Sequence, residues 1–241
     1  MTVRLLRRSV RSLVSAWSLA AVLVTGLATA LAPGLAHAEV SAADPIDAGM
    51  RACLARADRS STAGQVQCMD DARTAWRAAA DAALAQLVAK TPPAQQRRWR
   101  ASQQKWVAWR DAEDTMLGAA FATSSGSSYQ LYEADMRLQP VRDRAQALRG
   151  SLATAADKPV RARACSADAR CEHVSYDLNR YYRQLYARMP KHARSAVARA
   201  QSAWRAYRDA TTPLIDERAR LDLLGARLAT LKRLSETVNN R

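Results

Sequence analysis

The same ten-residue pattern occurs twice in the chain, 98 positions apart. Both copies read Q-x-x-W-x-x-[W/Y]-R-D-A, and they begin at Gln103 and Gln201 and align without a gap. Each copy follows a cysteine-led helical pattern and a turn that contains proline. Two copies of one supersecondary unit explain this arrangement better than coincidence. The sequence therefore predicts two tandem modules, at residues 39–150 and 151–241.

The spacing within the pattern favours a structural role, although partner binding stays open. Gln103, Trp106 and Arg110 fall on one face of a helix. Burying one such indole contributes roughly 2 to 3 kcal/mol at ~25 cal/mol per Å² of apolar area. Adjacent side chains on a helix point apart, so we expect Arg110 and Asp111 to reach other helices rather than each other. The candidate residues are Gln103, Trp106, Trp109, Arg110, Asp111, Gln201, Trp204, Tyr207, Arg208 and Asp209.

Composition and periodicity predict an all-α fold. The chain is rich in alanine and arginine and has one Phe and eight Gly, which is typical of helices. Apolar residues recur every three or four positions over 65–90, 94–117, 129–148, 171–189 and 214–238, and around Val197 to Tyr207. Residues 124–128 form a Gly-Ser loop, and residues 150–159 resemble a linker. The second module lacks such a loop, so its last two helices can form one kinked rod.

The first 38 residues are interpreted as a secretory signal peptide. Four arginines and no acid accompany an apolar run over 13–35, which ends at the small-x-small site Ala36-His37-Ala38. We expect cleavage before Glu39, by either the Sec or the twin-arginine route, and a bacterial periplasmic or secreted protein without a membrane span. An uncleaved anchor stays open, since the apolar run approaches the ~20 residues that span a bilayer.

The four cysteines all lie after the predicted signal peptide, and an even number in an exported protein predicts two disulfides. Three pairings are possible, and we favour the local ones. Residues six apart on one straight helix lie ~9 Å apart along its axis, which is too far for a disulfide. A turn must therefore separate the last two cysteines, with Ser166 and Asp168 as natural helix caps. The favoured pairs are Cys53 with Cys68 and Cys165 with Cys171.

The charge balance favours anionic partners. Lys and Arg number 37 against 22 Asp and Glu, a formal +15, and loss of four arginines with the signal peptide leaves +11. Such a charge imposes a positive field. Export argues against nucleic acids and for envelope polysaccharide, anionic lipid or acidic protein. The arginines on helical faces that fit such a role are Arg194, Arg199, Arg205 and Arg208.

The motifs do not indicate an enzyme. Ser102 and Lys105 read as S-x-x-K, but the companion motifs of serine acyl-enzymes are missing. Asp111, Glu113 and Asp114 form an acidic cluster, and flanking arginines favour a solvated face over a glycosidase pair. A zinc site is disfavoured because the sequence has no C-x-x-C. We therefore expect no catalytic residues, no metal and no cofactor.

With its upstream cysteines, the repeated pattern resembles the LprI-type lysozyme inhibitor family. That family has two cysteines, the second opening a helix with L-N-x-x-Y, and then Q-x-x-W-x-x-[F/Y]-R-D. The second module matches at Leu178-Asn179 and Tyr182, whereas the first has Ala75-Trp76 in place of Leu-Asn. Neither module has the family's second cysteine pair. The resemblance implies two divergent copies of an exported helical module that binds lysozyme.

The net positive charge of the chain affects how it would bind the implied partner, lysozyme. Animal lysozymes are strongly cationic, so a +11 chain would repel them at long range, although salt screens charges beyond ~8 Å. An acidic patch such as Asp111, Glu113 and Asp114 can still dock one. If the partner surface of the family includes the Gly-Ser loop, only the first module presents it.

Overall fold

A computed structural model of the chain describes residues 44–155 and 163–239, and within these ranges it contains helices and no strand. The predicted signal peptide and residues 156–159 of the predicted linker lie outside the described residues. The all-α fold with two disulfide-bonded helical modules is confirmed. The seven α-helices of the described residues are α1 (Pro45–Leu54), α2 (Thr62–Lys90), α3 (Pro93–Phe121), α4 (Ser127–Ala153), α5 (Ala169–Arg188), α6 (Arg194–Thr211) and α7 (Glu217–Thr237).

Helix ends follow local sequence signals. Ser61 caps α2 by accepting a hydrogen bond from Gly64 N at 3.1 Å, and α3 begins on Pro93, where a proline suits the first turn. Asp168 caps α5 through Arg170 N at 3.1 Å. The predicted linker is wrong at its start, because α4 continues through Gly150. Glycine is a weak helix breaker, and the buried Leu148 anchors this last stretch of α4 to the core.

Both disulfides are local, as predicted. Cys53 and Cys68 join α1 to α2 with a Cα–Cα distance of 5.7 Å. Cys165 and Cys171 lie 5.2 Å apart between Cα atoms, and a 3-10 turn at Cys165–Ala167 supplies the expected change of direction.

In each module the two helices that flank α3 or α6 along the chain pair with each other, whereas α3 and α6 pack together across the modules. The helix pairs with the most extensive contacts are α2 with α4, α5 with α7, and α3 with α6. Arg220 bonds Asp168 at 3.2 Å where α5 and α7 begin, and Arg188 donates to the Ser235 carbonyl where they end. Since α5 and α7 run in parallel, α6, which follows α5 and precedes α7 along the chain, runs in the opposite direction. The kinked rod is therefore wrong: the chain turns at Thr212–Leu214 and α7 starts anew after Asp216.

The two modules share one hydrophobic core. Contacts join residues 44–155 and 163–239 into one compact unit, and α3 from the first module packs on α6 from the second. Three indoles, those of Trp76, Trp106 and Trp204, are completely or almost completely buried. Trp76 also donates its Nε1–H to Asp47 at 3.2 Å, which fixes α1 on α2. The module boundary at 150/151 stays a prediction.

Candidate functional surfaces

The repeated pattern forms the contact between the two modules. Trp109 and Tyr207 hold the same position in the two copies, and their rings stack with centroids 5.3 Å apart and planes 5° apart. The helices run antiparallel, since Ser102 bonds Thr211 at 2.7 Å while Glu113 shares Arg227 with Gln201. Equivalent residues that meet define an approximate two-fold axis, as in an isologous dimer.

The glutamine of each copy holds a buried arginine from the last helix of its own module. Gln103 Oε1 accepts from Arg144 Nε at 3.0 Å, and Gln201 Oε1 accepts from Arg227 Nε at 3.0 Å. Both arginines are 2% exposed. Since a buried guanidinium needs hydrogen-bond acceptors, this explains why glutamine recurs at this position.

These two arginines were missed in the sequence, although a signal for them exists. Arg144 lies three residues after the buried Val141 and four before the buried Leu148. Arg227 has the same spacing to Leu224 and Leu231, which are also buried. An arginine in the middle of an apolar stripe at the same register in both modules indicates a buried polar contact.

The two copies of the pattern differ in the charge that faces the buried arginine. Arg227 Nη1 pairs with Glu113 Oε1 at 2.6 Å, and both side chains are almost completely buried. Glu113 also accepts from Trp109 Nε1 at 3.1 Å. Thr211 takes the place of Glu113 in the second copy, so the structure gives Arg144 only neutral acceptors among the described residues: Gln103, Tyr207 at 3.4 Å and Ser102 at 3.3 Å. The predicted acidic patch was therefore wrong to include Glu113, which is buried.

Neighbouring Arg and Asp of the pattern do pair, contrary to expectation. Arg110 Nη2 lies 2.9 Å from Asp111 Oδ1, and Arg208 Nη2 lies 2.8 Å from Asp209 Oδ1. Each guanidinium folds back over the indole one turn earlier, 5.2 Å from Trp106 in the first copy. The guanidinium group therefore lies along the surface of its own helix, where the carboxylate of the next residue contacts it. Exposed pairs of this kind contribute at most ~1 kcal/mol.

Half of the ten pattern residues are therefore buried, whereas the two aspartates are its most exposed members. Around the stacked rings, Trp106, Gln201 and Trp204 are buried. In the described ranges no group of three potential ligands can hold a metal ion. None of the helices described combines the length and apolar character that crossing a membrane requires. A partner-binding role of the pattern stays a prediction.

The Gly-Ser loop is held at its base and open at its tip. Ser124 Oγ donates to the Thr237 carbonyl at 3.0 Å, and Thr123 Oγ1 accepts from Asn239 N at 3.0 Å. Gly126 has φ +117°, which favours glycine. Residues 125–128 are exposed. The end of α7 thus supports an exposed stretch of small polar residues, in which α4 begins at Ser127, earlier than the predicted loop over 124–128 allowed.

Beside this loop lie an exposed tyrosine and several carboxylates. Tyr132 is 51% exposed and packs edge-on against Tyr129 with centroids 6.1 Å apart. Asp70 and Glu133 line a shallow depression between α2 and α4, and Arg137 links Glu133 (2.7 Å) to Asp114 (3.4 Å). Arg73 pairs with Asp70 at 3.1 Å. This area therefore contains three carboxylates and two arginines. We define the loop surface as residues 125–128 with Asp70, Asp114, Tyr132 and Glu133.

The arginines that sequence analysis placed on helical faces divide into two groups. Arg199 and Arg205 on α6 are exposed, and no ion pair to them is found among residues 44–155 and 163–239. Arg194 instead donates to the carbonyls of Ala187 (3.0 Å) and Met189 (3.1 Å), at the end of α5. Arg208 is engaged by Asp209, as described above.

Comparison with known proteins matches the two modules separately. A family model described as lysozyme inhibitor LprI matches residues 46–148 and 153–239, which confirms the resemblance and its two tandem copies. A crystal structure of an uncharacterized protein from Burkholderia thailandensis is 53% identical, with a TM-score of 0.79. The match covers 83% of this chain and 100% of that one. Comparison with curated proteins found no match.

Proposed function

Since the chain belongs to the lysozyme inhibitor LprI family, we propose that it is an exported, non-enzymatic binding protein that inhibits a lysozyme through the loop surface. The observation that carries the location is the exposed stretch 125–128, which comprises the end of the loop and the first two residues of α4, is supported at the loop base and is flanked by Tyr132. The ten pattern residues support the scaffold, since five of them are buried and Gln103 holds the buried Arg144.

The loop surface has the composition of a protein-binding surface. Small polar residues with glycine give adaptable hydrogen bonding, and tyrosine gives a rigid anchor at low entropic cost. The hydrogen bonds of Ser124 and Thr123 hold the loop base before binding. A preorganised loop loses less conformational freedom on association.

Local charge supports a cationic partner despite the net charge of the chain. Asp70, Asp114 and Glu133 give this surface more negative than positive side chains. Complementary charge at an interface accelerates association and selects the partner. At physiological salt the arginines elsewhere are screened beyond ~8 Å.

Inhibition by this route needs no reactive group. Lysozyme cleaves its polysaccharide with two carboxyl groups that flank the scissile bond in a cleft. A loop surface that seats at the cleft entrance excludes the substrate by occupying its space. Two disulfides fit an oxidising compartment, where such an inhibitor would meet lysozyme, and the predicted signal peptide at 1–38 would deliver it there.

Hydrolysis of cell-wall polysaccharide by lysozyme, with and without purified chain 39–241, tests this proposal. Tyr132→Ala should weaken inhibition at least about 30-fold, the effect of losing an interface anchor worth ~2 kcal/mol. Tyr176→Ala is the matched control, because Tyr176 is equally an exposed tyrosine but lies on α5. No inhibition at micromolar excess would refute lysozyme inhibition. Inhibition that survives Tyr132→Ala unchanged would refute the location.

The second candidate function is that of a cationic envelope protein that binds anionic polysaccharide or lipid surfaces. The observation that favours it is the exposure of Arg199 and Arg205 without an ion pair in the described residues. Attachment by charge predicts steep weakening with salt. Retention on anionic vesicles or peptidoglycan that stays unchanged in high salt would contradict this mechanism.

A further inference from the structure

The outer face of α5 combines exposed tyrosines with arginines. In the described ranges three large hydrophobic side chains are exposed, and two of them, Tyr176 (64%) and Tyr186 (38%), lie on this helix. Arg180 and Arg183 lie between them at spacings of four, three and three residues, which places all four on one face. The row is about 15 Å long at 1.5 Å per residue. We call these four residues the α5 strip.

The contacts around the strip hold the ring of Tyr186 and leave all four residues exposed. Tyr186 lies under the Arg194 guanidinium at 5.6 Å and packs against Tyr182 with centroids 6.1 Å apart. Arg180 pairs with Asp177 at 3.2 Å and remains half exposed. Arg183 is exposed and has no ion pair within the described part of the chain. The guanidinium groups of Arg180, Arg183 and Arg194 therefore outnumber the carboxylates that α5 places near the strip. Those carboxylates are Asp177 and, one turn before Tyr176, Glu172.

We propose that the α5 strip binds an acidic polysaccharide whose sugars carry carboxylates. Guanidinium groups bind carboxylates in a planar, two-point fashion that lysine cannot reproduce. Tyrosine rings offer an apolar face for the C–H groups of a sugar ring and a hydroxyl for its polar edge. The strip gives the anionic-polymer function a defined site. This proposal rests on the second candidate function, the binding of anionic polymers, and not on lysozyme inhibition.

Other anionic partners fit the strip less well. The two disulfides fit an oxidising compartment, where polysaccharides rather than nucleic acids are the common polyanions. A helix that lies on a lipid surface inserts large apolar residues. On α5 those residues, Leu178 and Leu185, are buried in the core instead. An extended chain of acidic sugars matches the charge of the strip and can follow its length of about 15 Å.

Binding of the chain 39–241 to polygalacturonate, measured by calorimetry at low and high salt, tests the proposal. Arg180→Ala/Arg183→Ala should weaken binding at least about tenfold, since two charge-assisted contacts are lost. Tyr176→Ala should weaken it about fivefold with no change in charge. The matched control is Arg97→Ala/Arg100→Ala, which removes the same charge from exposed positions on α3. That control should change affinity less than the Arg180/Arg183 pair does.

The outcomes separate the strip from the function on which it rests. Equal losses in the two double-arginine variants, with Tyr176→Ala binding like the wild type, would overturn the strip and leave attachment by net charge. No binding by the wild-type chain would overturn both. Single-stranded DNA that binds more tightly than polygalacturonate, with the same loss in the strip variants, would overturn the polysaccharide as ligand. Unchanged lysozyme inhibition by Tyr176→Ala, together with its loss of polygalacturonate binding, would support a separate site.

Discussion

Replacing Glu113 with alanine tests how the two modules are held together. Glu113 on α3 is the one described carboxylate that pairs with Arg227, and the pair joins the first module to the second. The substitution leaves Arg227 charged, buried and still bonded to Gln201 at 3.0 Å, but without its counter-ion. Trp109 Nε1 also loses its acceptor.

The expected cost is large for a single carboxylate. Breaking a buried ion pair by removing one partner costs about 3 to 5 kcal/mol. In a folded unit of roughly 150 to 250 residues each 1 kcal/mol shifts Tm by about 2 to 4 °C, so Glu113→Ala should lower Tm by about 6 to 20 °C. Thermal unfolding followed by circular dichroism at 222 nm measures this shift. Asp111→Ala is the control, because that exposed pair is worth at most ~1 kcal/mol.

A second variant separates the lost pairing from the lost packing. Glu113→Ala/Arg227→Met removes both charges and should recover much of the lost stability, since an apolar replacement of a buried pair is often neutral. If Glu113→Ala unfolds within 2 °C of Asp111→Ala, the reasoning about the module contact is refuted. A double variant less stable than Glu113→Ala would contradict the view that the unpaired Arg227 causes the loss.

Three further predictions concern stability and use the same unfolding assay. Cys53→Ser/Cys68→Ser opens a loop of 15 residues and should cost about 3 kcal/mol, and a loss below 1 kcal/mol would contradict the constraint. Gly64→Ala should lower Tm because its Cβ would lie 2.8 Å from backbone, whereas Gly225→Ala, where nothing lies within 4 Å, should raise it; the reverse order would refute this. Tyr207→Ala should cost about 3 to 5 kcal/mol and Tyr207→Phe at most ~1.5 kcal/mol, so equal losses would show that the stacked ring contributes little.

Local features of the chain were predictable from sequence. Helix periods, proline turns and caps act over a few residues, so the helices and the turn before Cys171 follow from neighbours in sequence. The loop around Gly126 was predicted for the same reason. Gly150 was misleading because a single glycine costs only about 1 kcal/mol in a helix, which the packing of Leu148 offsets.

Which helix faces which could not be predicted. An aromatic stripe on α3 can pack on α2, on α4 or on the other module, and its spacing is the same in each case. The stacking of Trp109 on Tyr207 therefore came from tertiary structure alone. Burial of Glu113 follows from that packing and removed it from the acidic patch. Tyr132 as a candidate anchor was also missed, since exposure depends on what covers each face of α4.

The location of the partner surface can be measured directly. Hydrogen–deuterium exchange of the chain 39–241, alone and with saturating lysozyme, reports which backbone segments become protected. We expect protection over residues 123–134 and at the start of α2, with α6 unchanged. Protection confined to α3 and α6, or no protection at any segment, would contradict this expectation.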